Sequence, residues 1–294
     1  MYLMRIGPAG AEVPAVRVGT DRYIDVSDVV GDVDAAFLAS DPAASLAPLI
    51  AERVAAGAAR PLEGIRIGPP IARPHQILCV GLNYTDHAAA TGQTLPDEPV
   101  ITTKAPNTLS GPTDPLVLPP GSDRTDWEVE LGVVVGRRVY RLSDEGEAEE
   151  AIAGYTLVND VSERALQFDR GGQWMKGKSA PTFTPCGPFL ATRDEIPDVG
   201  GLDLWLDVNG AARQRGSTKD MAFGPARLVH YLSHFMVLEP GDLICTGTPA
   251  GTGMTSSPPG YLASGDVVEL GCGPLGTQRY EVTESGQPPA AGPR

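Results

Sequence analysis

The chain has 294 residues, 41% hydrophobic and 20% charged, an ordinary globular composition long enough for one large domain with a small appendage. Its formal net charge of −14 speaks against nucleic acid and against an anionic membrane surface, since both recruit basic patches. Four scattered cysteines without a C-x-x-C pair, no apolar run of transmembrane length and no signal-peptide pattern lead to the expectation of a reduced, cytoplasmic protein with no membrane partner.

Residues 1–70 read as a small N-terminal α/β domain. Strand-like runs at Tyr2–Ile6, Ala15–Val18 and Arg22–Val26 lead into an Ala-rich helical stretch from about Val33 to Ala56. Pro69, Pro70 and Pro74 mark a boundary, and residues 71–285 form the main domain. It opens on a short strand, Ile77–Val80, followed by a loop with one or two helical turns around Asp86-His87-Ala88-Ala89-Ala90. Residues 93–125 carry seven prolines and little periodicity, which predicts an irregular segment, either disordered or functional as a lid.

Asp126–Val135 reads as a strand, because β-branched and apolar residues fill its second half. Alternation puts Glu128 and Glu130 on one face and Trp127, Val129 and Leu131 on the other. Two carboxylates that close repel unless a cation lies between them. A second strand, Gly154–Asn159, ends on Asp160, and a helix is predicted from Val161 to Phe168. Asp160 and Glu163 fit a capping box for that helix, and Arg164 and Gln167, three apart, share one of its faces. Strands follow near 200–209 and 213–214, then a helix from Pro225 to about Leu238, strands at 242–248, 266–270 and 277–282, and a frayed tail over 286–294. Many strands with few helices predict a β-rich α+β class.

Two motifs mislead. Residues 172–179, GQWMKGKS, fit the phosphate-loop pattern, yet a helix precedes them and Pro181 and Pro185 obstruct a helix after them. His230 and His234 sit at i and i+4 like a zinc pair, but Tyr231 stands where a metalloprotease needs its glutamate and no third ligand is near.

Six stretches together are specific: GLNYTDH (81–87), DWEVELGVVVG (126–136), GYTLVNDVSERALQ (154–167), GKSAPTFTPCGPF (177–189), MVLEPGDLICTGTPAGTG (236–253) and YLASGDVVEL (261–270). Through them the chain resembles the fumarylacetoacetate hydrolase (FAH) family. The resemblance implies a mixed β-sandwich roll, usually homodimeric, with a divalent cation held by Glu128, Glu130 and Asp160. Hard oxygen donors without Cys or His suit Mg2+, with Mn2+ or Ca2+ able to replace it. The resemblance also implies Lys178 beside the metal, Arg164, Gln167 and Thr248 as substrate contacts, and His87 as a general base on a lid.

The implied reaction is hydrolysis of a C–C bond in a small diketo or 2-oxo acid through a metal-stabilised enolate. Many family members carry a glutamate three residues after the lid histidine, where this chain has Ala90. That departure favours, as the alternative, a decarboxylase, tautomerase or divergent lyase or cyclase on the same site, unless Asp97 or Glu98 folds back to replace the glutamate. A metal-binding protein that has lost catalysis is the third reading, opposed by the completeness of the residue set.

Overall fold

Val129–Val135 is buried at every position, as a strand covered on both faces must be. In the computed structural model, which describes residues 1–285, it lies inside a ten-stranded mixed sheet. The tail expected over 286–294 lies outside the described residues. Across the sheet the order is Arg60–Pro61, Arg22–Asp25, Val13–Val18, Tyr2–Ile6, Leu190–Thr192, Ile152–Asn159, Val129–Val135, Leu243–Cys245, Ile77–Gly81 and Val100–Lys104. Val129–Val135 runs antiparallel to both neighbours, whereas Leu243–Cys245 and Ile77–Gly81 are parallel. Gly132 is required at the centre, because a Cβ there would stand 2.7 Å from Val158 Cγ2. A second sheet of five strands, Ala211–Ser217, Asp203–Val208, Val267–Cys272, Gly276–Glu284 and Leu116–Leu118, supplies the opposing layer. Trp127, Val129, Leu131 and Val133 face a core shared with Leu204, Leu206, Val268 and Leu270 of that layer. The result is the β-rich α+β architecture expected from the strand count.

The first strands join the main sheet directly, with Tyr2 and Leu3 paired to Ala191 and Leu190. Leu3, Val16, Ile24, Ile77, Val158 and Leu243 share one core across that junction. Local expectations needed several corrections. The helical stretch over 33–56 is two helices, Ala35–Leu38 and Pro42–Ala55, broken where Asp41 adopts φ 53° and accepts from Ala44 N. The segment 93–125 is more regular than its prolines suggest, because Val100–Lys104 finds a partner strand in Ile77–Gly81. The helix at Pro225 stops at Ser233, since Leu238 is drawn into backbone hydrogen bonds with Val139. Among the described residues, no helix is long and apolar enough to cross a membrane.

Candidate functional site

The acidic centre follows from strand register. Val129 pairs with Asn159 and Glu130 with Val158, so the next pair outward sets Asp160 opposite Glu128, where Asp160 N donates to Glu128 O at 2.9 Å. Alternation then puts Glu130 on the same face as Glu128. All three carboxylates are buried, and each offers a ligand oxygen within 4.8 Å of the others. Asn159 fixes this edge, its Oδ1 accepting from Glu128 N (2.8 Å) and its Nδ2 donating to Tyr280 Oη (2.6 Å).

The three are not equivalent. Lys178 Nζ donates to Glu128 Oε2 (2.9 Å), Asp160 Oδ2 (2.6 Å) and Ser162 Oγ (2.9 Å). Arg164 donates to Glu128 Oε1 (2.7 Å), Asp126 Oδ2 (2.9 Å) and Gln167 Oε1 (2.9 Å). Burial opposes ionisation of Glu128, but Lys178 and Arg164 outweigh it and hold its pKa below the usual carboxylate range. Asp160 is likewise buried yet lowered, by Lys104 and Lys178. Glu130 accepts only from Gly247 N (2.7 Å) and has no cationic partner among the described residues. Burial, then Asp160 and Glu128, raise its pKa well above the ordinary value. A buried carboxylate facing two others, without a cation of its own, is the feature a divalent ion would satisfy, and an all-oxygen donor set suits a hard one. The residues therefore fit such an ion.

Lys104 was missed by sequence reasoning. Its ammonium is fully buried and donates to Asp160 Oδ1 (2.6 Å) and Val161 O (2.9 Å). One signal was available: the chain has only four lysines against nineteen arginines, and two of those four are buried against the acidic centre. Asp160 is not a helix cap. Ser162–Glu163 instead pairs with Thr125–Asp126, and Glu163 caps the helix Arg164–Phe168 by accepting from Ala165 N. The three-residue spacing of Arg164 and Gln167 does place them together.

A single cavity is lined by His87, Glu128, Glu130, Asp160, Arg164, Gln167, Lys178 and Thr248, so all the residues implied by the resemblance converge on it. The Thr248 hydroxyl is already committed, donating to Val129 O (2.9 Å) and accepting from Gln214 Nε2 (2.7 Å). His87 lies on the short helix Thr85–Ala90 and is buried, while Ala90 is exposed. Burial lowers the imidazole pKa, with Glu128 opposing. Its Nδ1 is buried without a partner among the described residues. Neither proposed substitute reaches it: Asp97 is exposed, and Glu98 accepts from Tyr231 Oη at 2.8 Å. Thr91 donates to the carbonyls of His87 and Ala88.

The misleading motifs resolve as well. The loop over 172–179 follows a helix, ends in the single turn Met175–Lys178, and aims its second lysine at carboxylates. His230 and His234 bring their Nε2 atoms within 3.2 Å of each other on the helix surface.

Fold and site thus define a β-rich protein with a buried, cation-suited carboxylate triad lining a cavity. The sequence profile described as fumarylacetoacetate (FAA) hydrolase C-terminal matches residues 76–283, and the chain belongs to that family. A Burkholderia ambifaria protein, described as a candidate hydrolase, is 48% identical over 281 residues, covering 95% of this chain and 97% of its own. The crystal structure of maleylpyruvate hydrolase from Sphingobium sp. SYK-6, in complex with manganese(II) and pyruvate, superposes with a TM-score of 0.80 at 26% identity. It covers 97% of this chain and 100% of its own. That of 2-hydroxyhepta-2,4-diene-1,7-dioate isomerase from Mycobacterium marinum gives 0.76 at 30%, covering 98% and 100%. The family's members are enzymes, hydrolases and isomerases among them.

Proposed function

We propose that the protein is a divalent-cation-dependent enzyme that hydrolyses a C–C bond in a small 2-oxo or 1,3-dicarbonyl acid of the acylpyruvate type. The observation that carries this reading is Glu130, a buried carboxylate beside Glu128 and Asp160 with no cation of its own, in the same cavity as a buried histidine. Glu128, Glu130 and Asp160 would hold Mg2+ or Mn2+, and the similar structure holding manganese with pyruvate supports that pairing of ion and 2-oxo acid. When bound, the ion supplies Lewis-acid stabilisation of negative charge developing on a substrate oxygen.

The chain's own residues do the rest. Lys178, between Glu128 and Asp160, adds a fixed positive charge beside the triad, where that charge develops. Arg164, braced by Asp126 and Gln167, presents a guanidinium that cannot swing away. His87, kept neutral by burial at pH 7, can accept a proton at a ring nitrogen from water or from the carbon between two carbonyls. No side chain among the described residues holds its tautomer through Nδ1, which is unpartnered there, and residue 90 is alanine. That observation keeps a second reading, in which the same site decarboxylates or tautomerises its substrate without activating water.

Acetylpyruvate, benzoylpyruvate and oxaloacetate, each incubated with Mg2+ and again after EDTA, test the proposal. Hydrolysis of either acylpyruvate yields pyruvate and a carboxylic acid, decarboxylation of oxaloacetate yields pyruvate and carbon dioxide, and tautomerisation changes only the ultraviolet spectrum. Turnover that survives complete metal removal would sink the cation-dependent reading.

A further inference from the structure

The acidic centre has a definite charge balance. Asp126, Glu128, Glu130 and Asp160 contribute four negative charges, against which Lys104, Lys178 and Arg164 set three positive ones. A divalent ion turns that deficit into a single positive excess, which one substrate carboxylate neutralises. A second carboxylate has no countercharge.

The rest of the lining is different in kind. Leu82, Phe168, Trp174 and Met254 are its large apolar side chains, with Gln93 and Thr91 as neutral polar neighbours, and the Thr91 hydroxyl is already spent on backbone carbonyls. The apolar side chains are held in place. Gly81 lets the indole of Trp174 press on the backbone, since a Cβ there would lie 2.5 Å from its Cζ3. Phe168 meets the indole edge-on, with centroids 6.2 Å apart at 83°. Leu82 adopts φ 55°, a left-handed conformation uncommon for leucine, and lines the cavity from there. Of the basic residues nearest these in the chain, Lys176 donates to Arg170 O at 2.7 Å, Arg124 pairs with Asp169, and Arg170 is solvent-exposed.

We infer that the substrate has one charged end, a 2-oxo acid head at the carboxylate triad, and an uncharged alkyl or aryl tail against Leu82, Phe168, Trp174 and Met254. Monoacid acylpyruvates, and not diacids, are then its class. This rests on the reading above that the acidic centre takes a 2-oxo acid. Its physical basis is that desolvating a carboxylate against an apolar wall without a partner is far costlier than removing an alkyl group from water.

The test is equilibrium binding to the Mn2+-loaded protein of three ligands sharing one head: pyruvate, 2-oxoheptanoate and 2-oxoheptanedioate. Quenching of tryptophan fluorescence or calorimetry reads it without turnover. Expected is 2-oxoheptanoate binding at least about tenfold tighter than either other ligand, the scale of a well-filled apolar subsite. Binding of the diacid equal to or tighter than that of the monoacid, or of pyruvate as tight as 2-oxoheptanoate, overturns the inference while leaving the 2-oxo acid head intact. Failure of all three to bind overturns both. Trp174→Lys and Leu82→Lys should each tighten 2-oxoheptanedioate about tenfold relative to 2-oxoheptanoate. Folded variants that leave that ratio where it was count against the tail assignment, and the wild-type ligand series decides independently of how the variants fold.

Discussion

Glu130→Gln separates the demands of binding from those of folding. In the metal-free protein Glu130 is a buried carboxylate among carboxylates, with one hydrogen bond, from Gly247 N at 2.7 Å. Glutamine can keep that bond through its carbonyl and turn its amide toward the acceptor-only oxygens of Glu128 and Asp160. Replacing an uncompensated buried charge in this way should stabilise the metal-free protein by about 1–4 kcal/mol. For a chain of this size that corresponds to a rise in Tm of about 2–8 °C. Wild type at a hundredfold excess of metal over Kd gains about 2.7 kcal/mol, which the variant, lacking a ligand, should not. The gap between the two proteins therefore narrows by about that amount, or reverses, between EDTA and saturating Mg2+ in calorimetric melts. The pH dependence has a fixed sign. Because burial and its neighbours raise the Glu130 pKa, wild type keeps its share of stability below about pH 4.5 and loses it as pH rises toward the folded-state value. The gap between the proteins therefore opens above pH 4.5 and widens. A metal-free Glu130→Gln protein less stable than wild type, or one retaining the full Mg2+ shift, refutes the reasoning.

Lys104→Met should lower metal-free stability by about 3–5 kcal/mol in urea unfolding, because it leaves Asp160 Oδ1 and Val161 O buried without that donor; a loss under 1 kcal/mol would show that this ammonium is not what holds Asp160. If His87 is the base, kcat/KM for acylpyruvate hydrolysis should fall on the acid side below pH 6.5, and Ala90→Glu should move that limb upward by favouring the imidazolium. The same change should raise hydrolysis within the about 10²–10⁴-fold scale of general-base catalysis, and a profile indifferent to both His87→Ala and Ala90→Glu would favour the non-hydrolytic reading. Equilibrium dialysis with ATP and GTP should show no micromolar binding, since Lys178 Nζ faces Glu128 and Asp160; nucleotide binding lost in Lys178→Ala would reverse that assignment.

The face shared by Glu128 and Glu130 was legible in the sequence because side-chain alternation along a strand is local. The pairing of Arg164 with Gln167 was legible for the same reason, as i and i+3 on one helix meet whatever surrounds them. The family motifs then named Asp160, Lys178, His87 and Thr248, and the cavity gathers all of them. What alternation cannot supply is register. Only the pairing of Val129 with Asn159 sets Asp160 opposite Glu128, and a slip of one residue would turn its side chain to the other face. Asp160 looked like a helix cap because its spacing to Glu163 is local, but Ser162–Glu163 pairs as a strand with Thr125–Asp126, and the carboxylate is held instead by Lys104, 56 residues upstream, and by Lys178. Lys104 was invisible because it ends a strand in a proline-rich segment, where only pairing with Ile77–Gly81 imposes order. The empty neighbourhood of His87 Nδ1 was half legible, since Ala90 announces a missing partner. Only the tertiary structure shows that Glu98 is occupied by Tyr231, 133 residues away. Contacts of that separation are fixed by the packing of the whole chain, and no window of sequence contains them.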